Sequence, residues 1–255
     1  MSPRPKAGAR RRLDAELVVQ GFFTSQQDAM RAVLAGEVST SDRRLDRPGE
    51  QVRPGICLHV RGRDRFVSRG GLKLEHGLQE FGVDVSGLDC LDIGCSTGGF
   101  TDCLLKRGAA SVLAVDVGYA QFDWSLRQDD RVTLMERTNV VDLPDLPQAR
   151  VVQLVVCDVS FTSVLTVLPA VCRLLEPEGL FLTLVKPQFE ASREDVGEGG
   201  VVREERVWDE SLAKVASGMR DAGFDVLGSC ESPILGHKGN REFLMLGRMG
   251  GRSQD

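Results

Sequence analysis

The chain has 255 residues, which is long enough to bury a substantial core as one large domain, or as one domain with a small appendage. Hydrophobic residues make up 42% and charged residues 27%, the balance of a soluble globular protein, and no apolar run approaches the ~18 residues of a membrane span. The net charge of −5 combines a basic N-terminal segment with an acidic remainder. This asymmetry favours a polyanion-binding module, with a merely solvated arginine face as the alternative.

The seven cysteines and three histidines favour neither a metal site nor a disulfide framework. The cysteine count is odd, no CxxC pair occurs, and His59, His76 and His237 stand far apart. We therefore expect buried cysteines in a reducing compartment and no bound metal. No signal-peptide apolar core follows the charged first twelve residues, so we expect a cytoplasmic protein.

The N-terminal part of the chain predicts a pair of short helices. Apolar residues recur at helical spacing over residues 13–21, and a second helix is predicted over residues 26–34 with Thr24 or Ser25 as its cap. Turn-rich pieces follow, with a strand over residues 55–61. Together these elements make a small α+β unit.

This part resembles an S4 RNA-binding domain in the stretches RLDAELVVQGFFTSQQDAMRAVLAGEV (12–38) and RPGEQVRPG (47–55). That family grips structured RNA through basic residues on and beside its helix pair, and such phosphate contacts position an RNA without reading its sequence. The basic candidates are Arg10, Arg11, Arg12, Arg43, Arg44, Arg61, Arg63, Arg65 and Arg69.

Beyond residue 66 the pattern alternates strands with helices. Strands are predicted over residues 90–93, 111–116, 154–158, 180–186 and 243–248, and helices over residues 101–107, 164–175 with Pro169 as a kink, and 206–222. Continuous apolar runs of this kind are typical of strands buried on both faces. The pattern therefore predicts an α/β fold, with a mainly parallel sheet and helices on each side.

A glycine-rich turn, DIGCSTGGF, follows the first of these strands. Glycines let a backbone turn sharply and approach a ligand closely, and Asp116 ends the next strand, where a carboxylate suits a ribose diol. The spacing G-x-x-x-G-G differs from the dinucleotide motif GxGxxG, and the Lys-Ser/Thr of a P-loop does not follow it. The turn therefore favours a small charged nucleoside such as S-adenosylmethionine, with a generic nucleotide-type fold as the alternative.

Charged residues end two further strands. Asp158 closes the strand Leu-Val-Val-Cys, and Lys186 closes the strand Leu-Phe-Leu-Thr-Leu-Val. A charged residue at the carboxyl end of a buried strand faces the ligand cleft of such a sheet, although a surface residue that merely ends a strand is the plainer reading. Two such residues beside a cofactor turn favour chemistry.

The chain resembles the TlyA family along nearly its whole length. The motifs that carry the resemblance occur in order: VSRGGLKL (67–74), LDIGCSTGGFTDCLLKRGA (91–109), AVDVGYAQFDWSLR (114–127), ERTN (136–139), VCDVSF (156–161), LVKPQFE (184–190), VGEGGVV (196–202) and HKGNREF (237–243). The resemblance implies a Rossmann-like class I S-adenosylmethionine-dependent methyltransferase domain of the FtsJ type after a small N-terminal S4 domain. It implies a basic tail (1–11), the S4-like domain (12–62), a linker (63–69), the methyltransferase domain (70–250) and a C-terminal tail (251–255).

Members of this family, long known as hemolysins, transfer a methyl group from S-adenosylmethionine to cytidine 2′-hydroxyls of 16S and/or 23S ribosomal RNA. Carried over by motif, their catalytic tetrad falls on Lys73, Asp158, Lys186 and Glu242. The resemblance places Asp92, Gly94, Ser96, Thr97, Gly98, Gly99 and Phe100 around the cofactor's methionine and ribose, with Asp116, Val117 and Asn139 around its ribose and adenine.

The tetrad suits the reaction, because a ribose hydroxyl is a poor nucleophile and needs proton removal or strong polarisation. Lys186 is the hypothesised base or oxyanion stabiliser, with Lys73 as its neighbouring cation. Asp158 is expected to orient Lys186, and Glu242 to orient Lys73 or the ribose. The sequence leaves open whether base catalysis or electrostatic stabilisation dominates.

The expected partner is ribosomal RNA within ribosomal subunits, with no DNA, membrane or metal involved and the oligomeric state undetermined. Two other classes of function stay open. A non-catalytic S4-type ribosome-binding factor would need only the N-terminal part, and S-adenosylmethionine binding discriminates it from the enzyme. A hemolysin-like protein would need a membrane-inserting stretch, and the sequence contains none that is long enough.

Overall fold

The protein, described from a computed structural model, divides into two compact units, residues 1–65 and residues 66–255. The structure describes residues 10–20, 22–40, 43–54, 56, 58–62 and 65–251. The predicted RNA contact Arg63, most of the predicted basic tail and the last four residues of the predicted C-terminal tail lie outside the described residues. Within the described ranges, every helix is too short or too polar to span a membrane.

The N-terminal unit is built on the predicted helix pair. Its apolar core lies between the helices and the short strands, and it includes Leu13, Leu17 and Val33. Ser25 caps the second helix, because its hydroxyl accepts a hydrogen bond from the Asp28 N–H at 3.1 Å. The elements are β1 (Arg11–Arg12), α1 (Leu13–Val19), α2 (Gln26–Leu34), β2 (Val38–Ser39), β3 (Gln51–Val52) and β4 (His59–Val60), with β1 paired to β3 and β2 to β4, both antiparallel.

The C-terminal unit is an α/β domain, as the sequence predicts. Its first half comprises α3 (Gly70–Glu80), β5 (Asp89–Ile93), α4 (Gly99–Lys106), β6 (Ser111–Val115), α5 (Trp124–Arg127), β7 (Val132–Met135) and β8 (Val152–Cys157). Its second half comprises α6 (Leu168–Leu174), β9 (Leu175–Val185), α7 (Pro187–Glu190), α8 (Glu205–Asp221), β10 (Phe224–Glu231) and β11 (Phe243–Met249).

The sheet has seven strands in the order β10-β11-β9-β8-β5-β6-β7. β11 runs antiparallel to both of its neighbours, β9 and β10, and the other neighbouring pairs of this sheet are parallel, so the prediction of a mainly parallel sheet is confirmed. The chain runs from β5 outward to β6 and β7, then returns to β8 on the other side of β5. The carboxyl ends of β5 and β8 therefore flank the topological switch point, where ligands of such sheets bind.

The single helix predicted over residues 164–175 is wrong in detail. A 3-10 turn at Val164–Thr166 comes first, and α6 begins only at Leu168. Pro169 lies in the first turn of α6 rather than at a kink, because proline lacks an N–H and its fixed φ suits the start of a helix.

The two faces of the sheet carry separate apolar layers. Leu91 and Ile93 of β5 pack into the layer that includes α6 and α8, whereas Cys90 faces the layer that includes α3 and α4. Successive side chains of a strand point to opposite faces, so Asp92 is directed to the same side as Cys90. This alternation determines where Asp92 lies relative to the site.

Candidate active site

The glycine-rich turn between β5 and α4 brings two backbones into close contact. Gly94 has a left-handed φ of +80°, and a Cβ there would lie 2.7 Å from the Asp158 carbonyl oxygen. The Asp158 N–H in turn donates to the Ile93 carbonyl at 2.9 Å. Only glycine satisfies both the φ and the spacing, so this residue lets the ends of β5 and β8 meet.

Asp116, directly after β6, organises the same turn from the neighbouring strand. Its carboxylate accepts hydrogen bonds from the Ser96 N–H at 2.8 Å and the Gly118 N–H at 2.6 Å. The first of these bonds holds Ser96 at a φ of +47°, a left-handed conformation that is uncommon outside glycine. Each carboxylate oxygen keeps a further lone pair, so Asp116 can still accept from a ribose hydroxyl.

A cavity of about 530 Å³ opens at the carboxyl ends of these strands. Five of the predicted cofactor residues line this larger cavity: Gly94, Ser96, Asp116, Val117 and Asn139. Valines supply much of the remaining wall, among them Val115, Val140 and Val141. An apolar cavity of this size with a few directed polar groups suits a nucleoside.

A second cavity, of about 420 Å³, adjoins the first. This smaller cavity shares Gly94, Ser96 and Asp158 with the larger one and has Lys73 in its wall. The predicted cofactor residues Thr97, Gly99 and Phe100 and the loop 234–238 complete much of its lining. Two compartments therefore meet at the turn, one apolar and one bordered by charged groups.

The four residues of the predicted tetrad form two ion pairs. The Lys186 ammonium lies 2.6 Å from Asp158 Oδ1 and donates to the Ser160 hydroxyl at 2.9 Å. The Lys73 ammonium donates to Glu242 Oε2 at 2.6 Å. Lys186 and Glu242 are 7% and 3% exposed. Because unpaired buried charges are strongly unfavourable, each pair holds its members in place.

Two predicted cofactor residues, Asp92 and Gly98, line neither cavity. Gly98, at a φ of +95°, is the N-cap of α4. Asp92 is fully buried, and its Oδ2 accepts a hydrogen bond from the Thr101 hydroxyl at 2.6 Å, while its Oδ1 has no hydrogen-bond partner among the residues that the structure describes. Burial, with the nearby charges of Asp158 and Asp116, raises the pKa of Asp92 to about 7, despite the opposing hydrogen bond from Thr101.

We expect the unfolding free energy of wild type to depend on pH through Asp92, and we expect Asp92→Asn to remove this dependence. Since the folded-state pKa of Asp92 lies near 7 and unfolded aspartates titrate near ~3.9, its contribution to stability is full below about pH 4 and is lost as the pH rises to 7. Urea unfolding of both proteins at pH 5 and pH 8 measures this. From pH 5 to pH 8, the unfolding free energy of wild type should fall by about 2 to 3 kcal/mol more than that of the variant. If the difference in unfolding free energy between the two proteins is the same at both pH values, Asp92 stays ionised when buried.

Several residues that line the cavities were not predicted. Ser160 and Phe161 line the larger cavity directly after Asp158, and their place beyond a strand-ending aspartate was the available signal. Residues 138–141, which follow β7, also line the larger cavity, and Asn139 is the one residue of this segment that was predicted. In the loop 234–238, His237 and Lys238 belong to the motif HKGNREF, but no residue of the loop was predicted as a site residue. The loop reaches the smaller cavity through the return of β11 beside β9.

The predicted RNA-binding arginines differ in their surroundings. In the N-terminal unit, Arg11, Arg12 and Arg43 form ion pairs with Glu16, Asp14 and Glu50. Arg10, Arg44 and Arg61 are exposed, and the Arg65 guanidinium lies 5.6 Å from the centre of the Phe22 ring. In the C-terminal unit, Arg69 lines the smaller cavity and donates to the Leu235 carbonyl at 3.0 Å. An RNA role for these residues stays a prediction.

Comparison with known proteins places this geometry in a family. The model of the FtsJ-like methyltransferase family matches residues 66–249. The chain is 42% identical to the 16S/23S rRNA (cytidine-2′-O)-methyltransferase TlyA of Mycobacterium tuberculosis, over 92% of this chain and 89% of that protein. It is 46% identical to YqxC of Bacillus subtilis, named as a candidate rRNA methyltransferase, over 92% and 85%. A solved structure of a candidate hemolysin from Streptococcus thermophilus aligns with a TM-score of 0.72 at 43% identity, over 95% and 89%.

Proposed function

The chain belongs to the FtsJ-like methyltransferase family, in its TlyA branch, and from this membership we propose that it transfers a methyl group from S-adenosylmethionine to the 2′-hydroxyl of a cytidine in ribosomal RNA. One observation carries the proposal. A nucleoside-sized cavity and a charged cavity meet at Gly94 and Asp158, and Asp158 is paired there with a buried lysine. A methyl donor and a ribose acceptor need such adjoining compartments.

The residues of the larger cavity fit S-adenosylmethionine. Gly94 has no Cβ, which lets the turn lie against the Asp158 backbone in the cavity wall, and Asp116 keeps free acceptor positions for a ribose diol. Asn139 and the valine wall would hold an adenine. When bound, S-adenosylmethionine supplies a methyl group on a positively charged sulfur, and the carboxylate of Asp158 lies where the cavities join.

The tetrad would act on the acceptor hydroxyl. The Lys186 ammonium, held 2.6 Å from the Asp158 carboxylate, would stabilise negative charge on the ribose oxygen as the hydroxyl proton leaves to solvent. Lys73, fixed by Glu242 in the wall of the smaller cavity, would orient the ribose or its phosphate. Preorganised charges of this kind account for much of the rate in many enzymes.

The N-terminal unit would bind the RNA. We propose that it is an S4-type module, on the grounds of its helix pair and of the exposed arginines Arg10, Arg44 and Arg61. Phosphate contacts from such residues would position a ribosomal subunit and leave the choice of nucleotide to the methyltransferase unit.

The test uses the purified chain with labelled S-adenosylmethionine and, separately, small subunits, large subunits and 70S ribosomes from a strain that lacks the enzyme. We expect label at a cytidine 2′-oxygen, mapped in the ribosomal RNA. Cofactor binding without transfer to any particle would point to another RNA substrate. The absence of both binding and transfer would favour the non-catalytic RNA-binding factor.

Phe161 gives a separate prediction about the acceptor. Its ring is 91% exposed at the edge of the larger cavity and lies 5.3 Å from the Phe189 ring. Stacking of a base on an aromatic side chain contributes about 1–3 kcal/mol. Phe161→Ala should therefore lower kcat/KM for ribosomal RNA by roughly 5- to 100-fold, while Phe161→Tyr stays close to wild type. An unchanged kcat/KM, with cofactor affinity as the control, would contradict a stacking role.

A further inference from the structure

The loop between β8 and the 3-10 turn at Val164–Thr166 carries site residues in a strained conformation. Asp158 and Ser160 begin it, and Phe161 follows with a φ of +63°. A left-handed conformation is unfavourable for a residue with a bulky side chain, and it persists only where the surroundings impose it. The exposed Phe161 ring buries little surface that could impose it, so the restraint comes from the polar contacts of the loop.

The first restraint acts at the start of the loop. Lys186 contacts Asp158 and donates to the Ser160 hydroxyl, so one ammonium holds both residues from the end of β9. Ser160 in turn orients Lys186, because the position of its hydroxyl determines where one of the three N–H groups of the ammonium points. Movement of the loop would therefore move the ammonium.

The second restraint acts at the end of the loop and comes from Glu190. Its Oε2 accepts a hydrogen bond from the Ser163 hydroxyl at 2.6 Å, and its Oε1 accepts one from the Val164 N–H at 2.7 Å. Glu190 is only 4% exposed, and Lys214 of α8 donates to its backbone carbonyl at 2.6 Å. A buried carboxylate with two directed donors is a rigid attachment point.

We infer that Glu190 is a positioning residue for the proposed methyl transfer, on which this inference rests. Lys186 and Glu190 stand four residues apart, before and at the end of α7, and together they hold the Asp158–Ser163 loop at both ends. Glu190 thereby keeps Ser160 in place as the acceptor of the Lys186 N–H. It acts through Lys186 and lines neither the larger nor the smaller cavity.

Two substitutions separate positioning from folding. Glu190→Ala removes both hydrogen bonds and the ion pair, 3.6 Å long, with Lys214. A misplacement of about 1 Å at a reacting group can reduce rate by ~10²-fold, so we expect kcat to fall roughly 10- to 100-fold. Glu190→Gln can still accept from the Val164 N–H and donate to the Ser163 hydroxyl, so its kcat should lie within about fivefold of wild type. Cofactor stoichiometry should stay at the wild-type value in both, because Glu190 itself does not line the larger cavity.

The experiment measures kcat, KM and S-adenosylmethionine binding stoichiometry for wild type, both Glu190 variants and Asp89→Ala. Asp89 is the matched control, since its carboxylate also accepts a hydrogen bond from a serine hydroxyl, that of Ser111. Asp89 lies at the start of β5, at the end of the strand away from the site. Loss of kcat in Glu190→Ala with full cofactor stoichiometry, recovery in Glu190→Gln and an active Asp89→Ala support the role. Ser163→Ala removes the bond to Glu190 together with the cap bond that the Ser163 hydroxyl accepts from the Leu165 N–H at 3.1 Å. It should lower kcat about 3- to 10-fold and serves if Glu190→Ala does not fold.

Three results would overturn the role of Glu190. The first is unchanged kcat in Glu190→Ala, and the second is a parallel fall of kcat and cofactor stoichiometry, which marks a purely structural effect. The third, if Glu190→Ala does not fold, is wild-type kcat in Ser163→Ala. The proposed function fails in a different way, through a wild-type protein that binds S-adenosylmethionine and methylates no ribosomal particle.

Discussion

Lys186→Met is expected to lower methyl transfer by roughly 10³-fold while leaving S-adenosylmethionine binding within a few-fold of wild type. Methionine keeps an unbranched, flexible side chain as far as Cε but removes the ammonium that Asp158 and Ser160 hold. The ribose oxygen then develops charge without a positioned cation. The measurement is single-turnover transfer of label to ribosomal RNA, with cofactor affinity determined by calorimetry.

Loss of the ammonium also leaves Asp158 without its partner, and this second effect needs a control. Lys186→Met combined with Asp158→Asn removes both charges and separates lost catalysis from an uncompensated carboxylate. Lys106→Met breaks an ion pair with a half-exposed lysine, 2.9 Å from Asp102 and outside both cavities, and should transfer methyl at the wild-type rate. Transfer by Lys186→Met within tenfold of wild type would remove Lys186 from the chemistry.

Gly94→Ala is expected to weaken cofactor binding by at least about 100-fold. The φ of +80° already disfavours alanine, and the added Cβ would lie 2.7 Å from the Asp158 carbonyl oxygen. Since that contact involves two backbones, relief requires the ends of β5 and β8 to separate. Both cavities share this junction, so affinity and rate should fall together.

Gly87→Ala is the matched control for backbone strain. Gly87 has a φ of +75° with nothing within 4 Å of an added Cβ, so its variant has the left-handed strain without the overlap. We expect it to lose about 1 kcal/mol of unfolding free energy and no cofactor affinity. Equal affinity of Gly94→Ala and wild type would contradict the close approach at the turn.

The two variants divide the proposed reaction between its compartments. Gly94→Ala acts at the junction through shape, whereas Lys186→Met acts on the acceptor side through charge. A methyltransferase with its two substrates in adjoining cavities should lose cofactor binding in Gly94→Ala. In Lys186→Met it should lose methyl transfer but keep cofactor binding. In a non-catalytic RNA-binding factor, neither substitution would change RNA binding.

Sequence patterns predicted the elements whose signals are local. The paired helices of the N-terminal unit and strands β5, β6, β8, β9 and β11 follow from helical spacing and continuous apolar runs. β7 and β10 were missed because each lies at an edge of the sheet, where half-buried strands lack such runs. α3 was missed because it opens with two glycines and has no side-chain cap.

The sequence by itself determined which residues stand at the strand ends, and hence the glycine turn, Asp116, Asp158 and Lys186, because parallel strands bring their carboxyl ends to one edge. Only the tertiary structure decided how these groups pair. Lys73 meets Glu242 across 169 residues, and Glu190 reaches the loop that follows Asp158. It also turned Asp92 away from both cavities, because strand alternation directs that side chain to the layer of α4. Such contacts depend on the packing of distant elements, which periodicity along the chain does not encode.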